Sequence, residues 1–253
     1  MAIEIRVYAF GMKTPTYSEF VLRRLHSLTG VIPLTFFIFF HFYANSKSVV
    51  GEQAFDDTVA FLRGMPYLVP IEWGLLFAPF LFHMFYGMFI IFGSKPNSNK
   101  LGYRRNWAYV LQRVTAMIVF TFIIYHVVSI RFIDTHGEEA IYAIMHDKLS
   151  QPFTYWWYVV GIACTAFHLA NGLVTFFMTW GITVSTRSQR MMEYAMAGLG
   201  ILVCAIGIGA INGFLKQPPT KTPIHYEMTT PVASTQAEFE SGSQLADSAA
   251  QAQ

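Results

Sequence analysis

The sequence predicts an all-α integral membrane protein, a bundle of five transmembrane helices, and three observations carry that prediction. The composition is 54% hydrophobic and only 13% charged, with 17% aromatic residues, which is too apolar for an ordinary soluble domain. Five apolar segments are each long enough to cross about 30 Å of hydrocarbon at about 1.5 Å per residue. Lysine and arginine are concentrated in alternate connections, as expected of a chain that crosses a membrane repeatedly.

The five spans are Leu25 to Tyr43, Pro70 to Phe92, Trp107 to Ile130, Thr154 to Trp180 and Tyr194 to Leu215. They lack the strict alternation of barrel strands, and a helix satisfies its backbone hydrogen bonds within one lipid-exposed segment. Residues 1–24 are expected to form a cytoplasmic segment, residues 25–215 the membrane domain and residues 216–253 a polar tail. No small-residue cleavage site follows a short apolar core near the start, so the first span is expected to be retained. The tail, beginning KQPPTKTP, is too rich in Pro, Thr, Ser, Ala and Gln to bury a core. In the fifth span the small residues Ala197, Ala205, Gly209 and Gly213 recur at multiples of four, which predicts a packing face.

Eleven of the 17 Lys and Arg residues fall on one side of this topology: Arg6, Lys13, Arg23, Arg24, Lys95, Lys100, Arg104, Arg105, Arg113, Arg187 and Arg190. That side is predicted to be cytoplasmic, with the N-terminus inside and the C-terminus outside. The net charge of +2 thus divides into +8 inside and −6 outside, a topological signal and not an affinity for nucleic acid. Cys164 and Cys204 belong to no metal or redox motif and read as packing residues.

Four histidines lie within the spans, one in each of the first four. His41 and His83 are 42 residues apart, as are His126 and His168, so both offsets between the halves are 85. FHMFYG (Phe82 to Gly87) recurs as FHLANG (Phe167 to Gly172). Two helical hairpins are therefore read as a tandem repeat, whose equivalent positions share a depth. His41 pairs with His126 near the outer ends, and His83 pairs with His168 about 15 Å deeper.

Two imidazoles at one depth can take both axial positions of a haem iron, so two pairs imply two stacked b haems in a four-helix core. Gly87 and Gly172, four residues after a histidine, would lie on the histidine's face and let a porphyrin approach the backbone. Zinc fits less well, because no carboxylate or thiolate completes either pair. A histidine-based proton or metal transporter is the alternative from another class, but it explains neither the pairing nor the glycines.

The segments RRLHSLTGVIP (Arg23 to Pro33), RNWAYVLQRVT (Arg105 to Thr115), AFHLANGL (Ala166 to Leu173) and TWGITVSTRSQR (Thr179 to Arg190) resemble the dihaem cytochrome b subunits of Bacillus-type succinate:menaquinone reductases. These are related to quinol:fumarate reductase anchors. The resemblance, over about Ser18 to Phe214, implies haem ligation by His41, His83, His126 and His168, and menaquinone as substrate. It also implies flavoprotein (FAD) and iron–sulfur cluster subunits on the cytoplasmic face of a bacterial membrane. A histidine at the position of His26 is shared and is not a ligand in that family; beside Arg23 and Arg24, it is a candidate for contact with a propionate, a quinone or a partner subunit. Arg24 and Arg113 are candidates for haem propionates, and Glu72, in PIEWG, for a quinone proton. Some dihaem fumarate reductases carry a proton-conducting glutamate where this chain has Ala166, so the resemblance implies electron transfer assisted by the membrane potential. The direction of turnover is left open.

Overall fold

The computed structural model describes residues 16–93, 101–133 and 141–220, with backbone only at 131–133. The described residues are helical throughout apart from short connections, and five helices are long and apolar enough to cross a membrane.

Helix α1 (Tyr17–Val49) opens on a capping box: the Glu19 N–H donates to the Thr16 hydroxyl at 3.3 Å, and the Thr16 N–H donates to the Glu19 carboxylate at 3.2 Å. This cap starts the helix at Tyr17 instead of Leu25, carrying the charged turns of the helix into the interface. Pro33 lies inside α1 and cannot donate to the helix ladder, and the backbone widens to a π-turn over Gly30–Leu34. The Thr35 hydroxyl donates to the Gly30 carbonyl at 3.2 Å, re-using an acceptor there.

Helix α2 (Glu52–Arg63) follows Gly51, whose φ of 145° favours glycine. Helix α3 (Leu68–Phe92) contains a second π-segment at Glu72–Phe77, and α4 (Arg104–Ile130) is the third crossing. The short α5 (Ile141–Ser150) precedes α6 (Pro152–Thr179), and α7 (Thr186–Phe214) begins on a Ser185–Ser188 capping box. α6 packs against α4 and α7, α7 lies against α1, and α1 against α3. The spans thus match the five expected from the sequence, with boundaries moved by local caps.

Helices α2 and α5 were not among the expected elements, because ten to twelve amphipathic residues carry no transmembrane signal. They close one end of the bundle: Phe55 of α2 and Tyr142, Met145 and Leu149 of α5 bury against Phe122, Tyr158, Ile211 and Phe214. The Tyr142 hydroxyl donates to the Gly213 carbonyl at 3.4 Å, and burial, with Glu52 nearby, pushes this phenol up from its ordinary range so that it keeps its proton. Thr220 donates to the Glu52 carboxylate from its N–H at 2.7 Å and its hydroxyl at 2.6 Å. The start of the expected polar tail is therefore tied to α2, whereas residues 221–253 lie outside the described residues.

The packing face of α7 differs from the expected stripe. Ala197 and Ala205 are exposed and a Cβ on Gly209 would meet nothing, whereas Gly200, Val203, Gly207, Ala210 and Gly213 are buried. Positions at multiples of four rotate about 40° per step around a helix of 3.6 residues per turn. Over the sixteen residues from Ala197 to Gly213 such a stripe winds away from any single partner, and only its last member reaches α1. There the Ser48 hydroxyl donates to the Ala210 carbonyl at 2.8 Å, and a Cβ on Gly213 would stand 2.6 Å from the Val49 nitrogen. Backbone cannot yield as a side-chain tip can. Gly213→Ala is expected to destabilise the complex by about 1–3 kcal/mol, read as a lower thermal midpoint, while Gly209→Ala leaves it unchanged.

Candidate functional site

Three of the four crossing histidines reach a polar atom of a neighbouring helix through Nδ1. His83 Nδ1 is 3.0 Å from the His26 carbonyl of α1, and His168 Nδ1 is 3.2 Å from the Gln112 carbonyl of α4. A carbonyl only accepts, so in both rings Nδ1 carries the proton and Nε2 keeps its lone pair. His126 Nδ1 lies 3.0 Å from the Tyr158 hydroxyl. The His41 ring has those of Phe37 at 5.2 Å and Phe42 at 6.2 Å as neighbours.

The structure brings His83 to His168 and His41 to His126. The first two rings are 6.3 Å apart between centroids at 90°, the second two 5.8 Å apart at 81°. An iron atom bonded at about 2 Å to one nitrogen of each ring separates opposed imidazole centroids by roughly 6 Å. Both spacings admit one metal atom between the rings. Along α1, His41 stands fifteen residues after His26, and along α4 His126 stands fourteen after Gln112, so helix rise sets the pairs about 20 Å apart. This is more than the roughly 15 Å expected from the sequence, because the inner pair is held at the level of His26 and Gln112. Among the described residues no group of three or more His, Cys, Asp or Glu is placed to hold a metal ion. The donor set is two imidazoles at each level, which fits a b haem and not a tetrahedral site.

The remaining candidates are distributed unevenly. The His26 ring stacks on the His83 ring at 4.1 Å and 11°, and its Nδ1 is buried without a partner. Arg113 lies over the Tyr109 ring and donates to the Tyr109 carbonyl at 2.9 Å, leaving its buried Nε without an acceptor. Arg24 is turned elsewhere: it donates to the Thr179 carbonyl at the end of α6 and lies 5.3 Å from the Trp180 ring. A cation at a helix C-terminus is favourable by itself. Glu72 opens the π-segment of α3, half-buried at the same end as His41.

Neither repeat glycine faces open space. A Cβ on Gly87 would stand 3.0 Å from the His26 ring, and one on Gly172 3.5 Å from the Gln112 amide. A tighter approach than at either is that of Gly30 to the His83 imidazole. Ala166 is buried, with its carbonyl 3.4 Å from where a Gly200 Cβ would be. That position looks toward α7.

Sequence reading did not single out Gln112, Asn171, Tyr158 or Gly30. Gln112 and Asn171 carried a faint signal, standing in the quoted segments RNWAYVLQRVT and FHLANG, yet uncharged amides in membrane helices have no spacing rule.

Residues 93–208 match the family described as succinate dehydrogenase/fumarate reductase transmembrane subunit. The succinate dehydrogenase cytochrome b558 subunit of Bacillus subtilis (strain 168) is 39% identical over 197 residues, which cover 78% of this chain and 98% of that protein. The chain belongs to this family. As a succinate dehydrogenase/fumarate reductase transmembrane subunit it is a membrane component of an oxidoreductase complex.

Proposed function

We propose that this subunit anchors a succinate dehydrogenase to the bacterial cytoplasmic membrane and delivers electrons from its iron–sulfur partner to a membrane quinone, menaquinone. The observation that carries the reading is the two-level pairing of histidines at spacings that admit one metal atom. Two b haems, when bound, supply one-electron transfer across the membrane. His83 and His168 present Nε2 while the carbonyls of His26 and Gln112 hold their Nδ1 protons. Such outer hydrogen bonds fix ring orientation and raise imidazole basicity. His41 and His126 form the other pair, with Tyr158 on His126.

Arg113, with a buried guanidinium N–H to spare, suits a haem carboxylate better than Arg24, which is committed to Thr179. Glu72 remains the candidate for taking a proton to or from a quinone at the far end, and His26 for a contact at the inner level. The Lys- and Arg-rich end is assigned to the cytoplasm by the positive-inside rule, and the flavoprotein and iron–sulfur subunits, which carry FAD and the clusters, dock there. A fumarate reductase anchor would use the same residues with electrons travelling in the opposite direction.

Haem analysis of the purified complex tests the proposal. Two haems per copy of this chain are expected, both extracted by acidic acetone, because no C-x-x-C-H segment attaches them. A single haem defeats the paired reading, and a colourless protein favours the transporter.

A further inference from the structure

The two hairpins hold their inner histidines in different ways. On the α1–α3 side, His83 donates to the backbone carbonyl of His26, and the side chain of His26 contributes only a stacked ring. On the α4–α6 side the contact is reciprocal. His168 Nδ1 donates to the Gln112 carbonyl at 3.2 Å, and the Gln112 amide Nε2 donates back to the His168 carbonyl at 3.1 Å. The Gln112 Oε1 is occupied as well, accepting from Asn171 Nδ2 at 2.8 Å. Asn171 lies one turn beyond His168 on α6, and its amide also reaches the Ala108 carbonyl, one turn before Gln112, at 3.4 Å.

We propose that Gln112, braced by Asn171, is a positioning residue for His168: it fixes the distance between α4 and α6 at this level and thereby the strength of the Nδ1–H bond that tunes the imidazole. This rests on the reading of His168 as an iron ligand. The chemistry is specific to an amide. A side chain at position 112 must donate to one carbonyl and accept from one N–H₂ at once. Glutamate accepts but sets a negative charge against the His168 carbonyl, and methionine keeps the length with neither group. Buried polar links of this kind act as a unit, so loss of either amide leaves the other with an unsatisfied group in an apolar bundle.

A stronger Nδ1–H···O=C bond gives the imidazole more anionic character and favours ferric iron. Weakening it should therefore raise the reduction potential of the haem at His83 and His168 alone. The experiment is a redox titration, with low-temperature electron paramagnetic resonance, of the assembled complex carrying Gln112→Met, Gln112→Glu, Asn171→Ala or His168→Ala. Gln112→Met and Gln112→Glu are expected to keep two haems and to shift the highest g value of one of them; Gln112→Met moves that haem's midpoint upward, whereas the negative charge of Gln112→Glu opposes the rise and holds the midpoint below that of Gln112→Met. Asn171→Ala is expected to act as Gln112→Met does by a smaller amount, and it carries the test if both Gln112 variants fail to assemble. A shift of both haems, or of neither, overturns the proposal, since a general loosening of the bundle would not choose one level. His168→Ala separates the two readings: if it keeps both low-spin haems, the ligand assignment fails and the positioning role falls with it. If it loses one while the Gln112 and Asn171 variants leave both signatures unmoved, only the positioning role fails.

Discussion

Alanine at His83 or at His168 is expected to eliminate the same haem transition, and alanine at His41 or His126 the other, each as a complete loss of one of two low-spin signals. The reason is the proposed sharing of one haem iron by the two rings of each pair. With centroids 6.3 Å and 5.8 Å apart, the two rings of each pair can reach one metal atom between them, and alanine at either position takes one of the two donors away. Removal of one ligand leaves a high-spin iron or none. His26→Ala is the informative control. It removes a ring stacked at 4.1 Å on His83 but leaves the backbone carbonyl to which His83 donates, so both haems should remain. Redox titration of membranes containing each variant distinguishes these outcomes. If the His41 and His83 variants lose the same transition, the pairs have been drawn across the wrong helices.

The crossings were legible in the sequence because hydropathy over twenty residues is a strong constraint in lipid. The histidine pairs were legible because a duplicated hairpin repeats its spacing. Three parts were not legible, each for a physical reason. Helices α2 and α5 bury Phe55 and Tyr142 in an end cap, where an amphipathic pattern of a dozen residues resembles any loop helix. The face of α7 depends on where Gly207 meets Ile162 and Phe42, a matter of rotation that counting in fours cannot fix. The polar supports of the site, Gln112 with Asn171 and Tyr158 with His126, are cross-helix contacts between residues 59 and 32 positions apart. The Arg24 and Arg113 candidates show the same limit. Charge pattern puts both at one end, but only packing reveals that Arg24 caps α6 while Arg113 retains a free N–H.

Valine at Gly30 is expected to remove the haem at the His83 and His168 level while sparing the other, and this separates two explanations of the glycines. A Cβ at Gly30 would stand 2.8 Å from His83 Nδ1 and closer still to the ring carbon beside it. That nitrogen is already tied to the His26 carbonyl at 3.0 Å. The ring cannot retreat without breaking the bond that orients Nε2. Gly30 also begins the π-segment at Pro33, where the α1 ladder is already altered, so the helix has little freedom to absorb the shift. Gly172→Ala is the contrasting variant, because a Cβ there finds its nearest neighbour, the Gln112 amide, at an ordinary 3.5 Å. If glycine at 172 serves packing between α4 and α6, alanine should be accepted with both haems present. If it serves the close approach of a porphyrin to the backbone, alanine should cost the same haem that Gly30→Val costs. Haem content and redox titration of the two variants side by side decide which, and retention of both haems in Gly30→Val would show that His83 does not hold its metal in the orientation set by His26.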